Sequence, residues 1–83
     1  MIQNRQDCVE AIDLALEGEW DKAHSIVQEI ETDYAQWIHA VLHKIEGDIH
    51  NSRYWYNRSG LKSYESYKDP DYELSVIMDA LLA

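Results

Sequence analysis

Cysteine, proline, glycine and basic residues are all scarce in this 83-residue chain, and phenylalanine is absent. The single cysteine, Cys8, excludes an intramolecular disulfide framework and a cysteine-based zinc site. Flanked by polar residues and preceding Val9, it reads as a small, half-buried helix residue in a reducing cytoplasm. No apolar run approaches the roughly 20 residues that a membrane span needs, and no basic start leads into a signal-like apolar stretch. Seven basic residues against sixteen acidic ones give a net charge of −9. Such a surface repels phosphate backbones and anionic membranes, so neither nucleic acid nor a membrane is expected as a partner. Period-two alternation is missing as well, which argues against strands.

What is present is a chain that is 46% apolar and rich in rings with a polar handle, with three tryptophans and six tyrosines. Buried, those handles need hydrogen-bond partners. At this length there is room for one core, and folding buries only roughly 60–65% of the unfolded surface.

Gly18, Gly47, Gly60 and Pro70 each fall where a helical apolar period breaks, and they divide the chain. A first segment, about 4–17, carries Ile2, Val9, Ile12 and Leu16 at helical spacing, with Cys8, Ala11 and Ala15 beside them. A second, about 20–31, places Trp20, Ala23, Val27 and Ile30 on one face. A third follows the N-cap candidates Thr32 and Asp33, runs to Glu46, and has the stripe Tyr34, Ile38, Val41 and Ile45. The fourth, about 49–59, turns Ser52, Trp55 or Tyr56, and Ser59 inward. Residues 61–68 suit a short helical or 3₁₀ turn or an ordered linker. The last segment, 69–82, has Asp69 as cap, Pro70 at the first helical position, and Asp71 and Glu73 against the positive helix end. Its stripe is Leu74, Ile77, Met78, Leu81 and Leu82.

Displacing the chain by 29 residues pairs Val9 with Ile38, Ala11 with Ala40, Ile12 with Val41, Leu16 with Ile45 and Gly18 with Gly47. Beyond the turn it pairs Trp20 with Ile49, Ala23 with Ser52 and Val27 with Tyr56. Two helical hairpins, each too small to bury its own face, explain the register. The expected fold is therefore all-α: hairpins over about 4–31 and 33–60, a linker over 61–68, and a capping helix over 69–82.

The spacing of Gly18, Ala23 and Val27, and of Gly47, Ser52 and Tyr56, resembles the turn and second helix of a tetratricopeptide repeat. The period is shorter than the usual 34 residues, and no proline follows Ile30. The resemblance implies stacked hairpins and a shallow concave groove that binds a protein or peptide. A homodimer is one form such a partnership can take.

Two side-chain groups stand out as candidate sites. His39 and His43, one helical turn apart, can chelate a metal through imidazole nitrogens, with Glu46 as a carboxylate ligand. His24 is a further candidate member, and His50 falls outside once the helix stops at Gly47. The plainer reading has these residues flanking the core and hydrogen-bonded to tyrosines, Asn51 or a nearby carboxylate. No cofactor motif exists, and a divalent metal with a hydrolytic role remains the alternative function. The HExxH pattern is absent, and no nucleophile sits in a recognisable motif.

The second group is Arg53-Tyr54-Trp55-Tyr56-Asn57-Arg58. Three successive rings cannot all face one core, because neighbours on a helix differ by 100°. Tyr56 takes the core position by the repeat register. Trp55 is expected to pack under the final helix, with Tyr54 half exposed. Tyr54, Trp55 and Arg58 then form the binding patch expected of a non-enzymatic interaction module, since such residues dominate interface hot spots.

Overall fold

Local chemistry sets the helix ends. The computed structural model describes residues 3–83, so the expected packing of Ile2 lies outside the described residues. Its elements are α1 (Arg5–Leu16), α2 (Trp20–Val27), α3 (Asp33–Glu46), α4 (Ile49–Ser59), a 3₁₀ turn (Tyr64–Ser66) and α5 (Pro70–Leu82). No strand occurs among the described residues. Thr32 caps α3 by accepting from the Ala35 amide at 3.3 Å, and Asp48 caps α4 by accepting from the Asn51 amide at 3.2 Å. Asp69 accepts from the Asp71 amide at 3.1 Å, with Pro70 in the first turn where its missing N–H costs nothing.

The two inter-helix turns are closed by the same pair of backbone bonds, 29 residues apart. Gly18 N–H donates to Ala15 C=O at 3.1 Å and Glu19 N–H to Leu14 C=O at 2.8 Å. In the second hairpin Gly47 N–H donates to Lys44 C=O at 3.1 Å and Asp48 N–H to His43 C=O at 2.9 Å. This is the Schellman pattern, and it places the glycine in the left-handed region. Gly18 and Gly47 have φ of +84° and +86°, and nothing lies within 4 Å of where a Cβ would sit. Backbone conformation, not space, is what demands glycine there.

Small residues then let the paired helices approach. Ala11, Ala23, Ala40 and Ser52 are all fully buried. The Ser52 hydroxyl donates to Ala40 C=O at 2.7 Å, and the Ser59 hydroxyl to Asp33 C=O at 2.9 Å. Seven residues forward on α4 thus correspond to seven residues back on α3, so the pair is antiparallel.

α3 is the central helix and packs against each of the other four. Every residue from Ala35 to His43 is buried, polar ones included, and the burial encircles the helix. A helix wrapped on all sides needs no single stripe. The expected stripe accordingly fails at its ends: Tyr34 is half-buried and Ile45 is 41% exposed.

α1 buries Cys8, Ala11 and Ile12 and leaves Leu16 45% exposed, so its inward face is turned by one residue from the expected one. Cys8 is fully buried, not half-buried, because α1 meets α2, α3 and α5. α2 stops at Val27, short of the expected residue 31; Ile30 continues only as a turn, donating its N–H to Val27 C=O at 3.1 Å. α5 buries Leu74, Ile77 and Leu81, while Leu82 is exposed and Met78 half-buried. It lies across α1 and α3, covering the junction of the two first helices.

A charged group anchors α5 in this position. Glu73, expected to complement the positive end of the helix, is fully buried. It accepts from Trp37 Nε1 at 2.8 Å, Tyr56 OH at 2.7 Å and Lys44 Nζ at 2.9 Å. Lys44 also donates to Tyr67 C=O at 2.9 Å and lies over the Tyr56 and Tyr64 rings. Burial, then the bond to Glu73, pushes the Tyr56 hydroxyl far above its ordinary pKa, so it stays a donor. A buried carboxylate with three donors, one of them cationic, meets the requirement that interior charge be paired and hydrogen-bonded.

Candidate functional site

Histidines from both hairpins converge where α2 crosses α3. His39 and His43 project from α3 one turn apart, and both are buried because α3 is enclosed. His24 projects from α2 directly after Ala23, the close-approach residue, and so meets them from the other side. The three rings bring one nitrogen each to within 4.8 Å of one another. Nε2 of His24 and Nε2 of His39 are 3.0 Å apart. At that distance one nitrogen carries hydrogen and the other accepts it, so the two rings share a single hydrogen between their Nε2 atoms. The third ring, His43, donates from Nδ1 to Glu46 Oε1 at 2.9 Å, which leaves its Nε2 free.

Each ring is fixed by a different neighbour. Trp20 stacks on His24 with centroids 4.8 Å apart and planes 10° off parallel, and its indole N–H donates to Leu42 C=O at 2.7 Å. Trp55 stacks on His39 at 3.9 Å and 15°. Burial, then the neighbouring His24 and His43, pushes His39 down to about 3. His24 is lowered too, first by burial and then by His43, against the opposing pull of Glu46 and Asp21. These are neutral bases at physiological pH, the form in which imidazole ligates metals.

Of the expected metal set, His39 and His43 are brought together, and Glu46 bonds to Nδ1 of His43 and does not join the group of three. His24 takes that third place. Glu46 belongs to a second group with His43 and Asp48, whose ligand atoms also lie within 4.8 Å of one another. Asp48 is occupied by capping: the Asn51 amide and side chain hold its carboxyl below the ordinary range. His50 is exposed and outside both groups. Trp20, read from the sequence as core, is the residue missed; its spacing of four from His24 was the available signal.

Trp55 links this cluster to the surface. It does not pack under α5, as expected, because α5 lies over α1 and α3, and the nearest flat partner for the indole is His39. Tyr54 is 49% exposed and meets the Trp55 edge at 90°. The Arg58 guanidinium lies 5.9 Å from the Tyr54 ring centroid and 5.6 Å from that of Trp55. Arg53 pairs with Glu65, whereas Arg58 forms no ion pair among the described residues. The three expected patch residues are therefore contiguous, and one of them, Trp55, lies against His39 of the imidazole cluster.

No helix among the described residues is long and apolar enough to cross a membrane. Comparison with protein-family models, with curated proteins and with solved structures finds no match to this chain.

Proposed function

We propose that this chain is a small, non-enzymatic interaction module that docks an acidic protein or peptide segment on the outer face of α4. The observation that carries the reading is a charge contrast. In a chain of net charge −9, α4 is the only one of the five helices without Asp or Glu. Its outer face combines an exposed tyrosine, a half-buried tryptophan and an unpaired arginine. An aromatic anchor beside a guanidinium that has no carboxylate partner among the described residues suits a partner that brings a carboxylate and an apolar side chain. The likeness of the two hairpins to tetratricopeptide repeats supports a binding role. Since α5 covers the α1–α3 junction, the available surface is α4 and not a groove between first helices.

Among the described residues no serine, threonine or cysteine hydrogen-bonds to the imidazole cluster, so it contains no side-chain nucleophile–base pair. The test is fluorescence anisotropy against labelled acidic–aromatic peptides, with basic peptides of matched length as controls. Acidic peptides should bind preferentially, more weakly at high salt, and about tenfold or more weakly to Arg58→Glu and to Tyr54→Ala. Equal binding of basic peptides, or binding untouched by the double substitution, overturns the proposal. Light scattering at several concentrations identifies the remaining occupant: a dimer abolished by Arg58→Glu would make a second copy the partner and the acidic-peptide assignment wrong.

A further inference from the structure

We propose that His24, His39 and His43 together bind one divalent ion of the zinc class, each through one imidazole nitrogen, with Glu46 orienting His43. This inference stands apart from the docking of a partner on α4 and does not require it.

Three features of the geometry point to an ion. The rings come from two different hairpins, yet bring one nitrogen each together, no two of these more than 4.8 Å apart. A tetrahedral site with metal–nitrogen bonds of about 2.0–2.1 Å sets neighbouring nitrogens about 3.3 Å apart. His24 and His39, at 3.0 Å, need to part by only a few tenths of an ångström, and His43 needs to draw inward. Second, the contact on His43 is that of a metal-ligating histidine: Nδ1–H on a carboxylate fixes the tautomer and leaves Nε2 bare. Third, the other two rings are held by indoles on one face, Trp20 on His24 and Trp55 on His39, so their edges are presented in fixed directions.

Three imidazoles and no inner carboxylate select the metal class. Magnesium and calcium require oxygen donors, whereas zinc and its first-row neighbours accept neutral nitrogen. Three protein ligands leave a fourth position for water or another donor. Binding replaces the single hydrogen shared between His24 and His39. The ring that carries it on Nε2 moves it to Nδ1, and both Nε2 lone pairs then face the ion. Because His24 lies on α2 and the other two on α3, the ion would staple one hairpin to the other. In a chain this small, a ligand that binds only the folded form raises the melting temperature in proportion to its excess over Kd.

The experiment is calorimetric titration of the full chain with zinc chloride, together with absorption spectroscopy of the cobalt(II) form. One ion per chain should bind at about micromolar Kd or tighter, and cobalt should show the intense visible bands of four-coordination. His24→Gln and His39→Gln should each weaken binding by about a hundredfold, and Glu46→Gln by about 10–100-fold. His50→Gln, at an exposed histidine outside the cluster, should change nothing. Absent binding or a Kd far weaker than micromolar, a six-coordinate cobalt spectrum, or loss of binding in His50→Gln but not in His24→Gln overturns the site. Circular dichroism reports whether the buried His39→Gln variant folds. If it does not, the half-exposed His24→Gln and the wild-type cobalt spectrum decide the matter.

Discussion

At positions 29 residues apart, the first hairpin has Cys8, Leu14, Ala15 and Ile26 where the second has Trp37, His43, Lys44 and Trp55. Their turns share the same backbone bonds, and Val27 and Tyr56 occupy corresponding buried positions. What differs is enclosure. α1 keeps a solvated face, so its residues divide into buried and exposed, and its carboxylates Asp7, Glu10 and Asp13 reach water. α3 is covered by four neighbours, so Trp37, His39, His43 and Lys44 must find partners inside. One backbone unit therefore serves as plain packing in the first copy and as a polar interior in the second. Position in the stack, not local fold, makes the difference.

That contrast can be broken most forcefully at Glu73. Glu73→Ala removes the acceptor shared by Trp37, Tyr56 and Lys44, which the first hairpin has no counterpart to, and leaves a buried ammonium without its carboxylate. A loss of about 3–5 kcal/mol is expected, enough to leave a chain this small largely unfolded, as urea denaturation would show. A loss under about 1 kcal/mol would mean that the second hairpin does not depend on its polar interior.

In the first hairpin the corresponding test is chemical. Burial, then the Asp7 charge, lifts the Cys8 thiol from an ordinary 9.0 to about 11, two pH units, or about a hundredfold less thiolate at pH 8. Alkylation by iodoacetamide should be slower than for the urea-unfolded chain by at least that factor. The sign of the linked stability follows: the folded thiol holds its proton more tightly than the unfolded one. Its contribution is complete below pH 9 and is lost as the pH rises towards 11. Rapid native alkylation at pH 8 would show that α1 opens readily.

The shared features can be tested by matched substitutions. Gly18→Ala and Gly47→Ala each force a Cβ into the left-handed region, at about 1–2 kcal/mol apiece in thermal or urea unfolding. Costs differing by more than about 1 kcal/mol would deny that the turns are equivalent. The smallest effect belongs to Ser52→Ala, which gives the second hairpin the residue of the first. The hydroxyl leaves, yet Ala40 C=O lies inside α3 and retains its helical bond, so the change should stay under about 1 kcal/mol.

How much of this was legible beforehand depends on the range of the interaction. Thr32, Asp69 and Pro70 were readable as helix starts, because capping acts over two or three residues. The all-α fold and the hairpin turns followed from glycine placement and helical periodicity, which are equally local. Burial faces were less legible: α1 turned by one residue and α3 had no exposed side to mark. Periodicity reports a single partner surface, and these helices have several. Glu73 was legible only as a complement to the positive helix end, because nothing near it in sequence announces Lys44, 29 residues away, or Trp37, 36 away. His39 and His43 could be picked out as a pair from their spacing of four. Their third companion, 15 residues before His39, could be suggested but not ranked above Glu46.

The amino-acid order alone determined where this chain is helical and where it reverses, since those outcomes rest on backbone bonds and dihedral limits within a few residues. Only the tertiary structure decided that α5 would lie over α1 and α3, that a carboxylate would be buried beneath it, and that Trp55 would rest on His39. Those outcomes depend on which surfaces meet once the helices exist, and side chains far apart in sequence settle that by excluding water and pairing their charges.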